Sequence, residues 1–368
     1  TWKKKIIMQK HSLLFLLLLV LTQGTLAQND PKKVAFEKGQ KAIQLMDNGN
    51  IEEAIKLLEE CQKLDPKNID YPYEIALANY MKKDYKKSIK ILEALKKRKD
   101  TYDRVYQLLG NAYDMSGNRE RAINTYELGM KKFPKSGPLY LERGNMELMI
   151  KEYNKALSYY EKGLEADPVF PSNYYWAAKL YLSSQEEVWG MIYGELFMNL
   201  ERNSKRTIEM SKLIYNTYLS EIKVKDSSSF SVSFSSNTIH ISDPKDLKEF
   251  KLPYGLIVYE PTLMMCLIDI KEINIASLSV IRERFLDRLY ESETFPKEYP
   301  NALFEYQKSI KDAGHFEAYT HWLLMQGNLA EFEAWNNQHE EKWDAFVDWF
   351  KPNPIQLNDK NKFYRAQY

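Results

Sequence analysis

Cysteine is nearly absent from this chain. Its 368 residues hold two, Cys61 and Cys266, too few for a disulfide framework even in an oxidising compartment. Each falls inside an apolar helical pattern, so both read as small buried hydrophobes. Glycine and proline number only 14 each, which argues against a turn-rich sheet protein. Long apolar runs are missing too. The longest spans nine residues, Leu13 to Leu21, well short of the roughly 20 that cross a hydrocarbon core. Neither sign of charge dominates. Lys3, Lys4, Lys5 and Lys10 are the only charged residues of 1–27, so the remainder carries 48 basic against 51 acidic residues. That balance lacks the basic footprint of a nucleic-acid binder, and no nucleic acid is expected as a partner.

What is present is ordinary for a folded chain: 44% hydrophobic and 28% charged residues, with 26 tyrosines. The first 27 residues read as an address. A basic start ending at Lys10 precedes the apolar run, and Thr25-Leu26-Ala27 supplies small residues at the −3 and −1 positions. This is the pattern of a secretory signal cleaved between Ala27 and Gln28. A periplasmic or secreted protein is therefore expected, with no stable membrane span after signal removal.

The most informative feature is self-similarity. Small residues recur every 34 positions at Ala54, Ser88, Ala122, Ala156 and Gly190. Four residues later come Leu58, Leu92, Tyr126 and Tyr160, and Pro66, Asp100, Pro134 and Pro168 close the units. Small residues belong where two helices of a hairpin approach most closely. Tyr and Leu belong in the gaps between hairpins. The closing proline cannot continue a helix and resets the chain. Gly49 and Gly117 supply the left-handed backbone that ends a first helix; Lys83 and Lys151 stand at the same places at some cost. A single hairpin cannot bury its apolar stripe, so such units must stack.

The third unit reads Tyr106-x2-Leu109-Gly110-x2-Tyr113, then Ala122-x3-Tyr126, then Pro134. In this it resembles the tetratricopeptide repeat (TPR) family almost column for column. The likeness covers 35–203 as about five repeats, 35–68, 69–102, 103–136, 137–170 and 171–203. It implies a mainly all-α chain, an αα solenoid, whose first helices line a concave face that binds a protein or peptide segment. At the family's contact positions stand Tyr73, Leu77, Tyr80 and Met81, then Arg104, Gln107, Asn111, Asp114 and Met115. Leu141, Asn145, Leu148 and Met149 follow, with Tyr175 and Lys179 last. Aromatics and Met offer adaptable apolar contact, and Asn amides can pair with an extended backbone. Asn111 also matches a subgroup that grips a C-terminal carboxylate. The cations and second amide of that clamp are replaced here by Gln107, Glu142, Ser172 and Trp176, so carboxylate capture is not expected.

Beyond Asn203 the register ends, and 204–368 reads as a mostly helical region. Apolar spacing predicts helices over 204–223, 260–273, 276–290, 301–313, 315–326 and 329–350. A small β-hairpin is expected near 228–242, with Phe230–Phe234 turning through Ser235-Ser236-Asn237 into Thr238–Ile241. Leu252-Pro253-Tyr254-Gly255 reads as loop.

Chemical signatures are scarce. No phosphate-binding Gly-rich loop, zinc helix, calcium loop or Cys-x-x-Cys pair is present, so no cofactor, metal or catalytic residue is expected. His315 and His321 are six apart and fall on different helix faces. Glu186-Glu187 and Glu340-Glu341 read as solvated charge. The aromatic, Gly-containing stretch Val188–Glu195 reads as a close packing site or as a ligand-contact surface. The reading is an interaction or scaffolding protein of the cell envelope; the alternatives are a subunit of an envelope assembly docking through 204–368, and an enzyme with an active site there.

Overall fold

The computed structural model describes residues 30–226, 229–236 and 253–368. The signal-type segment, the expected strand 238–241, His240 and the Asp243-Pro244 linker lie outside the described residues. Two compact units divide the chain, 1–133 and 134–368.

The first unit is three helical hairpins: α1 (Pro31–Asp47) with α2 (Ile51–Leu64), α3 (Asp70–Met81) with α4 (Tyr85–Lys96), and α5 (Asp103–Met115) with α6 (Arg119–Lys132). Each hairpin turns through one left-handed residue, Gly49 (φ 81°), Lys83 (φ 64°) or Gly117 (φ 82°). The hydrogen bonds match in all three. The left-handed residue donates three back, as Gly49 N–H to Met46 at 3.0 Å, and the next donates five back, as Asn50 N–H to Leu45 at 2.8 Å. This pair satisfies carbonyls that the helix end would otherwise orphan. Asp84 and Asn118 then cap the second helices, accepting from Lys87 and Arg121 N–H.

The second unit opens with two more hairpins: α7 (Gly137–Met149) with α8 (Tyr153–Ala166), and α9 (Pro171–Tyr181) with α10 (Glu187–Leu200). Lys151 repeats the left-handed turn at φ 64°. Ala54, Ser88, Ala122 and Ala156 are all fully buried, as small residues at equivalent helix crossings must be. A second pair of columns adjusts volume. Ala42 and Ala76 accompany Leu58 and Leu92, whereas Gly110 and Gly144 accompany Tyr126 and Tyr160. A Cβ on Gly110 would sit 2.2 Å from the Tyr126 ring, and one on Gly144 2.5 Å from Tyr160. Larger partners face smaller ones, which keeps the hairpins at native density.

The last repeat breaks this rule usefully. Gly194 stands where tyrosine stood before, and Met210 and Ile214 of α11 (Lys205–Glu221) move into the space. Helix α10 is consequently buried along its whole length from Val188 to Asn199. Of the two readings of Val188–Glu195, the structure selects close packing. The rest of the unit wraps this helix: β1 (Ile222–Asp226), β2 (Ser229–Val232), a π-helical turn (Gly255–Tyr259) leading into α12 (Glu260–Met265), then α13 (Ile275–Glu291), α14 (Phe295–Glu298), α15 (Ala302–Asp312), α16 (Phe316–Leu324), α17 (Leu329–Gln338) and α18 (Glu340–Phe350).

Several expectations need correcting. The strand at 230–234 is shorter, Ser229–Val232, and among the described residues it pairs antiparallel with an upstream strand, Ile222 opposite Val232 and Val224 opposite Phe230. Ile222 and Val224 are β-branched and alternate, which favours a strand once α11 ends at Glu221. Phe234 leaves the sheet to be buried, and its carbonyl accepts from Val188 N–H at 2.9 Å, closing the start of α10. Tyr254-Gly255 is helical rather than loop, Leu256 and Ile257 N–H donating back to the Pro253 carbonyl at 3.0 and 3.2 Å, and Gly255 presses so closely on Ser235 that a Cβ would meet its Oγ at 1.8 Å. The helix expected over 260–273 stops at Met265, and Asp269 turns left-handed at φ 66°. The helix expected over 329–350 is two. His339 breaks it at φ −134°, its Nδ1 lying 2.8 Å from the Trp335 carbonyl. Both cysteines are free and buried.

Candidate functional site

The first-helix face of unit one is built by α1, α3 and α5. At its third and second repeats, Arg104 lies over the Tyr73 ring at 4.9 Å, and Tyr73 packs on Tyr102 at 5.5 Å. Tyr102 in turn donates to Asp70 at 3.2 Å. The structure thus brings Tyr73 and Arg104 together as a cation–π pair, worth about 0.5–1 kcal/mol at a partly exposed site. Burial lifts Glu74 above the ordinary carboxylate range, and Arg104 opposes the shift. Leu77 and Tyr80 are half-buried, Tyr80 against Tyr85 at 5.5 Å. Gln107 and Asp114 are also half-buried. Met81 and Met115, 34 apart, are 46% and 53% exposed.

Asn111 and Asn145 do a different job from the one expected. Tyr126 donates its hydroxyl to Asn111 Oδ1 at 2.5 Å, and Tyr160 donates to Asn145 Oδ1 at 2.9 Å. Each asparagine ties its first helix to the second helix of the same hairpin. The buried phenol needs an acceptor, and the carbonyl end of each amide is committed to it. A glycine that admits the ring and an amide that satisfies its hydroxyl are adjacent residues in both repeats.

In the second unit the expected contact residues are largely engaged internally. Leu141 and Leu148 are half-buried against the unit's core, while Met149 is exposed. Tyr175 and Lys179 both bond Glu209 of α11, Lys179 Nζ at 2.7 Å. Arg206 lies over the Tyr175 ring at 5.0 Å and donates to Ser172. Helix α11 therefore occupies the fifth repeat's contact positions.

Two residues escaped the sequence reading. Phe36 and Ile43 are 60% and 45% exposed on α1. They stand in the same columns as Arg104 and as Leu77 and Asn111. The 34-residue register, carried back one unit, is the signal that finds them.

Elsewhere in the second unit, buried polar groups converge on α10. Glu195 Oε1 accepts from Arg282 Nη2 and Gln307 Nε2 at 2.6 Å and from Tyr319 at 2.7 Å. These donors come from α13, α15 and α16, so one carboxylate binds four helices. A cavity of about 30 Å³ lies beside them, room for a water molecule, which needs roughly 10–15 Å³. Arg282 lines it, and its Nη1 has no partner among the described residues. A second cluster corrects the reading of Glu186-Glu187 as solvated charge. Burial pushes Glu187 up to about 7, with Glu221, Glu186 and Glu260 adding repulsion. Glu260 is raised by burial too, and accepts Ser235 N–H at 2.7 Å. The sequence hid this, because the neighbouring groups come from the end of α11, the segment after β2 and α12, far along the chain.

His315 and His321 are not neighbours in any metal site. His321 stacks on Trp335 at 3.9 Å, and His315 packs on Trp349 at 5.5 Å. Among the described residues no three His, Cys, Asp or Glu side chains are grouped to hold a metal. No described helix is long and apolar enough to cross a membrane.

With this geometry in view, family models add an independent observation. Residues 45–111 and 103–131 each match a model described as a tetratricopeptide repeat. Among solved structures, the chain is similar to a thermophilic TPR protein of Thermus thermophilus, with 19% identity, 49% of this chain and 98% of that one covered, and a TM-score of 0.41. It is similar to pilF of Pseudomonas aeruginosa, with 19% identity, 51% and 86% covered, and a TM-score of 0.42. YrrB, described as a TPR protein with an unusual peptide-binding site, shares 14% identity, with 52% and 97% covered and a TM-score of 0.32. The hairpins, their period and the two family-model matches show tetratricopeptide repeats over residues 45–131. Such repeats bind protein or peptide partners and are typically non-enzymatic, which supports an interaction or scaffold role.

Proposed function

We propose that this chain is an exported scaffold of the cell envelope that holds a segment of another protein on the first-helix face of its first three repeats. One observation carries the reading. Exposed apolar side chains stand in the contact columns of α1, α3 and α5, Phe36 and Ile43 on α1 and Met81 and Met115 one repeat apart in a single column. Large exposed apolar groups aligned along one face mark an interaction surface more often than chance scatter does. Arg104, exposed and held over the buried Tyr73 ring, adds a positioned cation to this face. Export rests on the basic, apolar and small-residue pattern of 1–27.

The test is a pull-down from envelope extracts with the mature protein and with a Phe36→Asp, Met115→Asp variant. Both positions are exposed, so the fold tolerates the change. Partners recovered by the parent and lost by the variant support the reading; recovery unaffected by the variant sinks it. Export is read separately by the intact mass of the secreted or periplasmic form, expected to begin at Gln28.

A further inference from the structure

The second helices of unit one form a different surface. Between α2 and α4 runs a groove of about 850 Å³, within the roughly 300–1,000 Å³ typical of binding clefts. Ile75 of α3 lies on its floor, and Ile55 of α2 and Ile91 of α4 line its apolar sides. The charge around this floor is mainly basic, Lys56, Lys82, Lys87, Lys90 and Arg98 lining it against Glu52 and Glu59. Residues 82–99 contain nine Lys or Arg against two acids, Asp84 and Glu93. Those two are already engaged, Asp84 by Lys87 and Glu93 by Lys96. Lys82 is held by Glu52 and Arg98 by Asp100. Lys56 and Lys90 line the groove with no ion pair among the described residues, and Lys87, though paired with Asp84, extends the basic rim.

We propose that this groove receives an acidic amphipathic helix of another protein. Its apolar side chains would enter between Ile55, Ile75 and Ile91, and its carboxylates would face Lys56, Lys87 and Lys90. The shape argues for this occupant. The walls are two helices with no strand edge to extend, so helix-in-groove docking fits and strand addition does not. The apolar floor is recessed below the lysines, so a flat bilayer surface would meet the charges without reaching it. The floor carries aliphatic groups and no aromatic platform on which bases could stack.

The experiment is selection of a displayed random 16-residue peptide library on the full chain, followed by anisotropy titration of the enriched peptides. Expected are sequences of net negative charge with apolar residues three and four apart. Their affinity should fall at least tenfold on Lys87→Glu with Lys90→Glu, fall with added salt, and survive Phe36→Asp with Met115→Asp. Anionic phospholipid vesicles and single-stranded DNA serve as competitors. The proposal is overturned if nothing is enriched, or if the enriched peptides lack acidic bias. It is equally overturned if binding ignores the charge reversal, or if vesicles or DNA displace the peptides at matched charge. Loss of binding on the Phe36 and Met115 variant alone would assign the peptides to the first-helix face instead.

Discussion

Lys83→Gly should stabilise the protein. Lys83 and Lys151 hold φ of 64° where Gly49 and Gly117 hold 81° and 82°. A side chain in the left-handed region brings Cβ close to the following carbonyl oxygen, at a cost of about 1–2 kcal/mol. Glycine removes that clash but loses more backbone entropy on folding, which returns about 0.4–1 kcal/mol. The expected net gain is about 0.5–1 kcal/mol for either lysine. Packing does not complicate the estimate, because a Cβ at Gly49 or Gly117 meets nothing within 4 Å. The converse change, Gly117→Lys, should destabilise by a similar amount. Urea unfolding followed by circular dichroism measures the global effect. Hydrogen exchange at the Lys83 and Asp84 amides, which donate to Tyr80 and Asn79 at 2.9 Å, measures it at the turn. If Lys83→Gly were neutral or destabilising while Gly117→Lys was harmless, the equivalence of these turns would be refuted.

Gly110→Ala should cost about 1–3 kcal/mol by overpacking, since the new methyl meets the buried Tyr126 ring at 2.2 Å; an unchanged urea midpoint would contradict the fit. Glu195→Ala should destabilise the second unit by about 3–5 kcal/mol, because it strands a buried Arg282, whereas Glu195→Gln should cost less; thermal unfolding distinguishes them. Glu187→Gln tests the carboxylate cluster through pH. A carboxyl raised to about 7 binds its proton more tightly folded than unfolded, so its contribution to stability is full at low pH and is lost as pH rises through 7. The variant should match the parent near pH 4 and exceed it in melting temperature near pH 8; equal melting temperatures at both pH values would exclude the shift. Glu209→Ala should release Lys179 and Tyr175, seen as faster acrylamide quenching of the aromatic fluorescence nearby without loss of helix content.

The repeat was legible because its columns answer local demands that recur from copy to copy. A left-handed residue turns each of the first four hairpins, a small residue fits each crossing, and proline closes three of the first four units. The expected and observed hairpins agree for this reason. Site residues were less legible for a related reason: the family's contact columns say where a side chain emerges, not what it then meets. Asn111 and Asn145 sit in contact columns and still accept from Tyr126 and Tyr160. A polar residue next to a glycine that admits tyrosine carries this signal, once both columns are read together.

Periodicity by itself determined the mainly helical class, the hairpin length and the positions of the crossings, since these depend on spacing of 3.6 and 34 residues along one chain. The tertiary structure alone decided how the solenoid ends and which of its surfaces stay open. Gly194 leaves a space that only a helix from beyond the repeats can fill, and α11 arrives there carrying Glu209 to the fifth repeat's contact residues. Strand pairing followed the same logic: among the described residues Ser229–Val232 pairs with the strand that follows α11, and Phe234 beyond it is buried against the start of α10. Non-local partners set these outcomes, and no local spacing encodes a partner's distance along the chain.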